Sequence, residues 1–415
     1  MSEIKTIISK IIKPMRPIGL MGLMGLIGLM GLMAACNSDL DIPEDQKGVF
    51  LRVMSYENSY VEVDAVTRAT VSWQPSGYQE SHVYVSYGIF FTKSDGSVIK
   101  NKFRYGADEK WYMVEDVSAG DNYYLYGYMP YDAGEVTIAP PSGGTYADGA
   151  VMTFSNLNAA MTKDLCIVTA AKDATRNEKP GEPGKYTYVL GNGMDWLPPA
   201  DFKCKIKAGD GDEYKNTLFF LFDHLYAALH LGFRVDETYN QLRDIVIKRL
   251  ELESYEDEAC KNLMYKLKTT VTLMANNTYT SPIVGDVVFE KDQSAGYMEK
   301  VLIFNKPDAV WTNSDDRLPS LDGENNKKYV EKSGYIPKSG TENFYKLTTT
   351  YDIYDKKGNL VRKDQSAVNV LSPKKLFNQP QLLRGYKYTL RMTIAPTFLY
   401  MMSDDDLEFK MDIEN

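Results

Sequence analysis

From Tyr386 to Ile394 the large apolar residues Tyr386, Tyr388, Leu390, Met392 and Ile394 alternate with Lys387, Thr389, Arg391 and Thr393. A period of two places each set on its own face of a pleated strand, so this stretch buries one face and wets the other. The rhythm recurs in Tyr345, Leu347, Thr349, Tyr351 and Ile353, which run into the turn Asp355-Lys356-Lys357-Gly358-Asn359 before Leu360-Val361 starts a return. The apolar run His82 to Phe91 is followed by Ser94-Asp95-Gly96-Ser97 and then by Val98 and Ile99. Asp-Gly between apolar runs is a hairpin signal. Such patterning predicts an all-β chain of antiparallel hairpins. Abundant tyrosine, 30 residues, agrees with that, because tyrosine suits half-buried pleated surface.

Other segments follow the same reading. Val49–Val53 and Tyr60–Val66 are the first strands expected, parted by a turn at Glu57-Asn58-Ser59. Tyr124, Tyr126 and Tyr128 share one strand face, which either packs inside a sheet or stacks on sugar rings. Leu165–Ala171 is a short apolar strand, and the proline- and glycine-rich stretch from 173 to 212 reads as irregular. From Leu225, the residues Ala227, Leu229, Leu231, Phe233 and Val235 alternate with smaller or polar ones, favouring a strand over a buried helix. At the end, Leu407, Phe409, Met411 and Ile413 alternate with Glu408, Lys410, Asp412 and Glu414. A free amphipathic strand either closes its own sheet or is offered to a neighbour.

The first 36 residues bear on location. Lys5, Lys10, Lys13 and Arg16 make a basic start, Ile18 to Ala35 is an uncharged apolar run of 18 residues, and Met33-Ala34-Ala35-Cys36 closes it. A basic leader, an apolar core and small residues before a cut define a secretory signal, and cysteine after the cut makes it a lipoprotein signal. The run is also just long enough for a membrane-spanning helix. Glycine at every third position, Gly19 through Gly31, weakens that alternative. We therefore expect cleavage between Ala35 and Cys36 and acylation of Cys36, with 36–48 as an acidic tether. About 380 residues remain, too many for one ordinary core, and we expect two β-sandwich domains, 49–212 and 213–415.

A net charge of −9 and a pI near 5.1 argue against nucleic acid as a partner. Beyond Cys36, Cys166, Cys204 and Cys260 have no Cys-x-x-Cys spacing, and one bridge among them stays open. No nucleophile elbow or phosphate loop is present, and Gly191-Asn192-Gly193 lacks the third glycine of a dinucleotide site. His224 and His230 have no HExxH partner pattern and read as structural histidines. Asp315-Asp316, Asp322-Gly323-Glu324 and Asp404-Asp405-Asp406 lack calcium-loop register and read as solvated loops. We expect no catalytic residue, no metal and no cofactor.

Several landmarks follow one another along the chain: the lipobox Met33-Ala34-Ala35-Cys36, Thr67-Arg68-Ala69, Gly88-Ile89-Phe90 with Asp95-Gly96, and Tyr126-Gly127-Tyr128-Met129-Pro130-Tyr131. Phe222-Asp223-His224, Tyr351-Asp352-Ile353-Tyr354-Asp355 with Gly358-Asn359, Gly385-Tyr386-Lys387-Tyr388-Thr389-Leu390 and Ala395-Pro396-Thr397-Phe398-Leu399-Tyr400 complete the series. Together, in this order, they resemble the Bacteroidales fimbrillins. The resemblance implies two transthyretin-like β-sandwich domains, export as a lipoprotein to the outer membrane, and assembly with other fimbrial subunits. It also implies cutting between Arg68 and Ala69 by an arginine-specific protease, which frees the first strand for replacement by a neighbour's strand. Leu407, Phe409, Met411 and Ile413 are the candidate donor. The partners implied are other subunits, the outer membrane through the lipid before maturation, and a host or bacterial surface ligand. The alternative is a surface lipoprotein that binds glycans without polymerising.

Overall fold

The structure is a computed structural model that describes residues 52–58, 61–64, 78–80, 86–105, 111–113, 117–118, 120–158, 161–173, 175–183, 186–189, 196–206, 217–275, 287–319, 330–337, 343–377, 382–396 and 407–411. Within these residues 24 strands form five sheets. The largest runs β3 (Tyr78–Glu80), β1 (Arg52–Asn58), β14 (Thr217–His224), β10 (Cys166–Asp173), β7 (Asn122–Met129), β4 (Tyr87–Thr92), β5 (Val98–Tyr105) and β6 (Trp111–Met113), with β13 (Lys203–Lys205) also on β7. A second sheet joins β8 (Glu135–Ala139), β9 (Gly149–Leu157), β17 (Leu267–Met274) and β18 (Phe289–Lys291). A third runs β2 (Val61–Asp64), β23 (Tyr386–Pro396), β15 (Tyr226–Val235) and β20 (Val330–Pro337), with β24 (Leu407–Met411) also on β23. The fourth holds β19 (Val301–Asn305), β16 (Arg243–Tyr255), β21 (Phe344–Asp355) and β22 (Leu360–Leu371), and β11 (Thr175–Glu178) pairs with β12 (Tyr186–Val189). No helix among the described residues is long and apolar enough to cross a membrane.

The expected all-β sandwich architecture is present, and its ladders are mostly antiparallel. Three are parallel: β1 on β14, β15 on β23 and β2 on β23. Parallel neighbours need a long crossover, and each of these pairs is distant in sequence. The hairpins expected from Asp95-Gly96 and from Gly358-Asn359 form as β4–β5 and β21–β22. Gly96 and Gly358 have φ of 90° and 84°, the left-handed backbone that glycine adopts without a Cβ clash.

Alternation decides which core each side chain enters. Tyr87, Ile89 and Phe91 of β4 join Phe103 and Leu125 in one cluster, whereas Phe90 joins Tyr124, Tyr126 and Tyr128 in another. The first sheet is thus buried on both faces. The tyrosine row is packed, not offered to solvent: Tyr126 and Tyr128 are fully buried. Tyr126 Oη donates to Tyr146 O at 2.7 Å, and the Tyr128 ring meets Phe154 edge-on at 5.7 Å. Gly88, opposite Tyr128 in the ladder, leaves room for that ring; a Cβ there would lie 2.3 Å from Tyr128 Cε1.

Strand β15 carries neighbours on both edges and is almost wholly buried. Its Leu229, Leu231 and Phe233 share a continuous core with Ile245 and Leu250 of β16 and with Leu347 and Ile353 of β21. On β23 the outcome follows the sequence at most positions: Tyr388, Leu390, Met392 and Ile394 are fully buried and Lys387, Arg391 and Thr393 half-buried, but Thr389 is buried and Tyr386 only half-buried. The 173–212 stretch, expected to be irregular, contributes the short strands β11, β12 and β13.

Candidate functional site

The segment upstream of Arg68 does not form one edge strand on one sheet. It splits. Strand β1 runs parallel along β14, from Arg52 opposite Thr217 to Glu57 opposite Phe222, and β3 lies beyond it from Tyr56 to Asn58. Strand β2 runs parallel along β23, from Val61 opposite Tyr386 to Asp64 opposite Thr389. One short stretch of chain therefore completes two sheets.

The acceptor strands are built for burial. Leu218, Phe219, Phe220, Leu221 and Phe222 of β14 are at most 2% exposed: β14 lies between β1 and β10, and Leu218, Phe220 and Phe222 join the cluster of Tyr87 and Phe103. Taking β1 away would expose a row of main-chain N–H and C=O groups beside aromatic side chains. Such an edge invites another strand.

The edge of β23 opposite β15 is shared. Strand β2 takes Tyr386–Thr389, and β24 takes Met392–Pro396, with Met411 opposite Met392, Phe409 opposite Ile394 and Leu407 opposite Pro396. In the single chain the candidate donor thus pairs with its own sheet, next to the place held by β2. Beneath this edge, burial pushes the Tyr388 phenol up to about 12, against a hydrogen bond from Leu383 N–H to its oxygen at 2.9 Å. Tyr388 stays neutral and serves as packing. Main-chain pairing is what this arrangement can perform.

Among the sequence-predicted residues, Leu407, Phe409 and Met411 fall in β24. Ala35, Cys36, Arg68, Ala69 and Ile413 lie outside the described residues. Of the acidic clusters, Asp316 is occupied by Lys306 at 2.6 Å and by the N–H of Val310, while 322–324 and 404–406 lie outside the described residues.

Where the chain leaves the first sheet for the third, at Leu225, the structure gathers groups that the sequence reading kept apart. Arg384 Nη1 donates to Asp223 Oδ2 at 2.9 Å and to His224 O at 3.0 Å, and Gly385 N donates to Tyr226 O. On the other side of the strand, His224 Nδ1 lies 2.5 Å from Asp164 Oδ2 and 3.4 Å from Cys166 Sγ. All three are buried. The sequence signal was the Asp-x-Cys step at 164–166, but the histidine comes from 58 residues away.

No family model and no curated protein sequence matches the chain. Similar solved structures include a candidate cell adhesion protein of Bacteroides fragilis, 10% identical with a TM-score of 0.38, covering 88% of this chain and 97% of that one. A fimbrial protein of Bacteroides vulgatus is 13% identical with a TM-score of 0.26, over 88% and 100% of the two chains. The fimbrial anchor protein Mfa2 of Porphyromonas gingivalis is 10% identical with a TM-score of 0.24, over 86% and 95%. At such low overlap no residue's role transfers from them.

Proposed function

We propose that this chain is a structural subunit of a cell-surface fimbria, exported as a lipoprotein through Cys36 and assembled by strand exchange after cutting between Arg68 and Ala69. One observation carries the reading: the segment just before Arg68 supplies a parallel strand to each of two sheets. After a cut there, β1 and β2 are held only by main-chain pairing and packing, and their departure opens the edges of β14 and β23 together. Strand β24 of a neighbouring copy, bearing Leu407, Phe409 and Met411, is the proposed replacement, with Ile413 extending it. Segment 1–35 is removed on export and 36–48 is the tether; the halves 49–212 and 213–415 share sheets, since β14 pairs with β10, β17 with β9 and β2 with β23. The partners are other fimbrial subunits, the outer membrane before maturation, and a surface ligand of the host or of other bacteria. No catalytic role is assigned.

The test is to treat purified protein with an arginine-specific protease and follow concentration-dependent ladders for wild type, Arg68→Ala and a chain ending at Asp406. Ladders are expected for wild type alone. Ladders that persist in both altered chains would sink strand exchange by this route, and loss in Arg68→Ala alone would keep the groove and remove β24 as donor.

The glycan-binding alternative takes its support from a different place than the buried tyrosine row. Tyr265 and Tyr297 stack at 4.6 Å on the surface, with Tyr297 54% exposed. Retardation in polysaccharide gels without trimming, abolished by Tyr297→Ala, is the result that would favour it.

A further inference from the structure

We propose that Asp164, Cys166 and His224 form a closed site for one divalent cation of the zinc type, set where the chain passes from the first sheet to the third. This departs from the sequence reading, which expected no metal, and it does not rest on the fimbrial assignment.

The geometry comes first. One ligand atom from each residue lies within 4.8 Å of the other two. Cys166 stands directly opposite His224 in the β10–β14 ladder, and Leu225 N donates to Leu165 O at 2.8 Å, so pairing continues through the site. Asp164 lies two residues before Cys166, just ahead of β10, and its carboxylate meets the same ring nitrogen. Two of the three donors therefore hang from paired strands, the kind of support that holds a metal site in shape. Two ligands at zinc's ordinary N and S distances, 2.0 and 2.3 Å, are about 3.5 Å apart in a tetrahedron. The Nδ1–Sγ separation is 3.4 Å. The carboxylate stands closer, at 2.5 Å from Nδ1, and needs to retreat by about 0.9 Å to reach the tetrahedral N–O spacing.

Chemistry points the same way. Both Asp164 and Cys166 converge on a single ring nitrogen, and Nδ1 carries either a proton or a lone pair. Thiolate, imidazole and carboxylate are zinc's donor types.

Charge closes the argument. Cys166, His224 and Asp164 are 0%, 1% and 6% exposed, so net charge here would be expensive. A doubly charged cation with one thiolate, one carboxylate and a neutral imidazole sums to zero. Binding displaces the thiol proton and any proton on Nδ1. The same burial argues against a Cys–His nucleophile, since no substrate reaches the sulfur. The site is structural, filled while the sandwich closes, with the second Asp164 oxygen or a water as fourth ligand. Its effect would be to rivet β10 to the end of β14, the strand whose far edge β1 covers.

The experiment uses the full chain carrying Cys36→Ser, Cys204→Ser and Cys260→Ser, which leaves Cys166 as the only thiol, produced in medium supplemented with Co2+. About one cobalt per chain is expected, with a thiolate-to-cobalt charge-transfer band that zinc abolishes. Asp164→Asn and His224→Gln, chosen to keep the shape, should each weaken cobalt retention during dialysis at least tenfold, and Cys166→Ala should remove the band. Folded protein, judged by circular dichroism, that holds no cobalt or binds it without the thiolate band would overturn the proposal, as would a band that survives His224→Gln undiminished. If the single-thiol chain does not fold, the band is read in the wild-type chain against Cys166→Ala with the same outcomes. Zinc-loaded protein should also melt higher than chelator-treated protein, and equal melting would contradict a structural site.

Discussion

Replacing Arg384 with methionine asks whether a buried ion pair holds the crossing between the sheets. The guanidinium donates from one nitrogen to Asp223 Oδ2 at 2.9 Å and to the His224 carbonyl at 3.0 Å, and the two side chains are 10% and 5% exposed. Methionine keeps most of the apolar stem and removes the charge. The Asp223 carboxylate then keeps its bond from His224 N–H, at 3.0 Å, but loses its counter-charge in a place where water cannot replace it. Breaking a buried pair by deleting one partner costs about 3–5 kcal/mol, and a carbonyl left short of a donor pushes the result toward the upper part of that range. We expect a loss of about 4 kcal/mol in equilibrium urea unfolding followed by tryptophan fluorescence, with little change in m. Adding Asp223→Asn should recover part of it, since a neutral amide oxygen still accepts from His224 N–H, and the double-mutant cycle should give a coupling above about 1 kcal/mol. A loss below about 1 kcal/mol in the single variant, or a cycle without coupling, would refute the reasoning.

Three further outcomes are expected. Gly88→Ala places a Cβ 2.3 Å from Cε1 of the fully buried Tyr128 ring, so it should cost about 1–3 kcal/mol by overpacking, read as a lower urea midpoint; an unchanged midpoint would mean the ring is free to move. Lys346, hydrogen-bonded to Glu253 and then to Tyr255, has its pKa raised to about 12 from 10.5. A raised folded pKa stabilises fully below the unfolded value and fades as pH rises through the folded one, so the Lys346→Met deficit should be flat below pH 10.5 and shrink toward pH 12. Its size is about 1 kcal/mol once solvent screening is allowed for, and a deficit that grew with pH would contradict the pairing. Cys36→Ala should abolish incorporation of labelled fatty acid and leave the precursor uncut, and unchanged labelling would overturn the lipoprotein reading.

Much of the fold was legible because burial on one face imposes a period of two, as on β23 and β21, and because Asp-Gly and Gly-Asn mark hairpins. Strand β16 was not legible for a physical reason. A bulge between Ile247 and Arg249 shifts its register, so the inward positions run Ile245, Ile247, then Leu250, Leu252. On β17 the inward set Leu267, Thr269, Val271, Leu273 hides behind a threonine, which is buried because its hydroxyl donates to Val288 O at 2.7 Å. The split of the first segment between two sheets was equally hidden, since β1 and β2 both read simply as strands and their parallel partners lie far along the chain. The Asp164–Cys166–His224 cluster escaped notice because ligands drawn from facing strands have no fixed sequence spacing.

The central claim is that this chain is built into a surface fibre, and electron microscopy of cells with a gold-labelled antibody to residues of β21 and β22 tests it most directly. We predict gold along or at the tips of thin surface fibres in cells making the wild-type chain, and label confined to the cell surface, with no fibre association, in cells making Arg68→Ala. Even label on the outer membrane and none on fibres in wild-type cells would contradict the account.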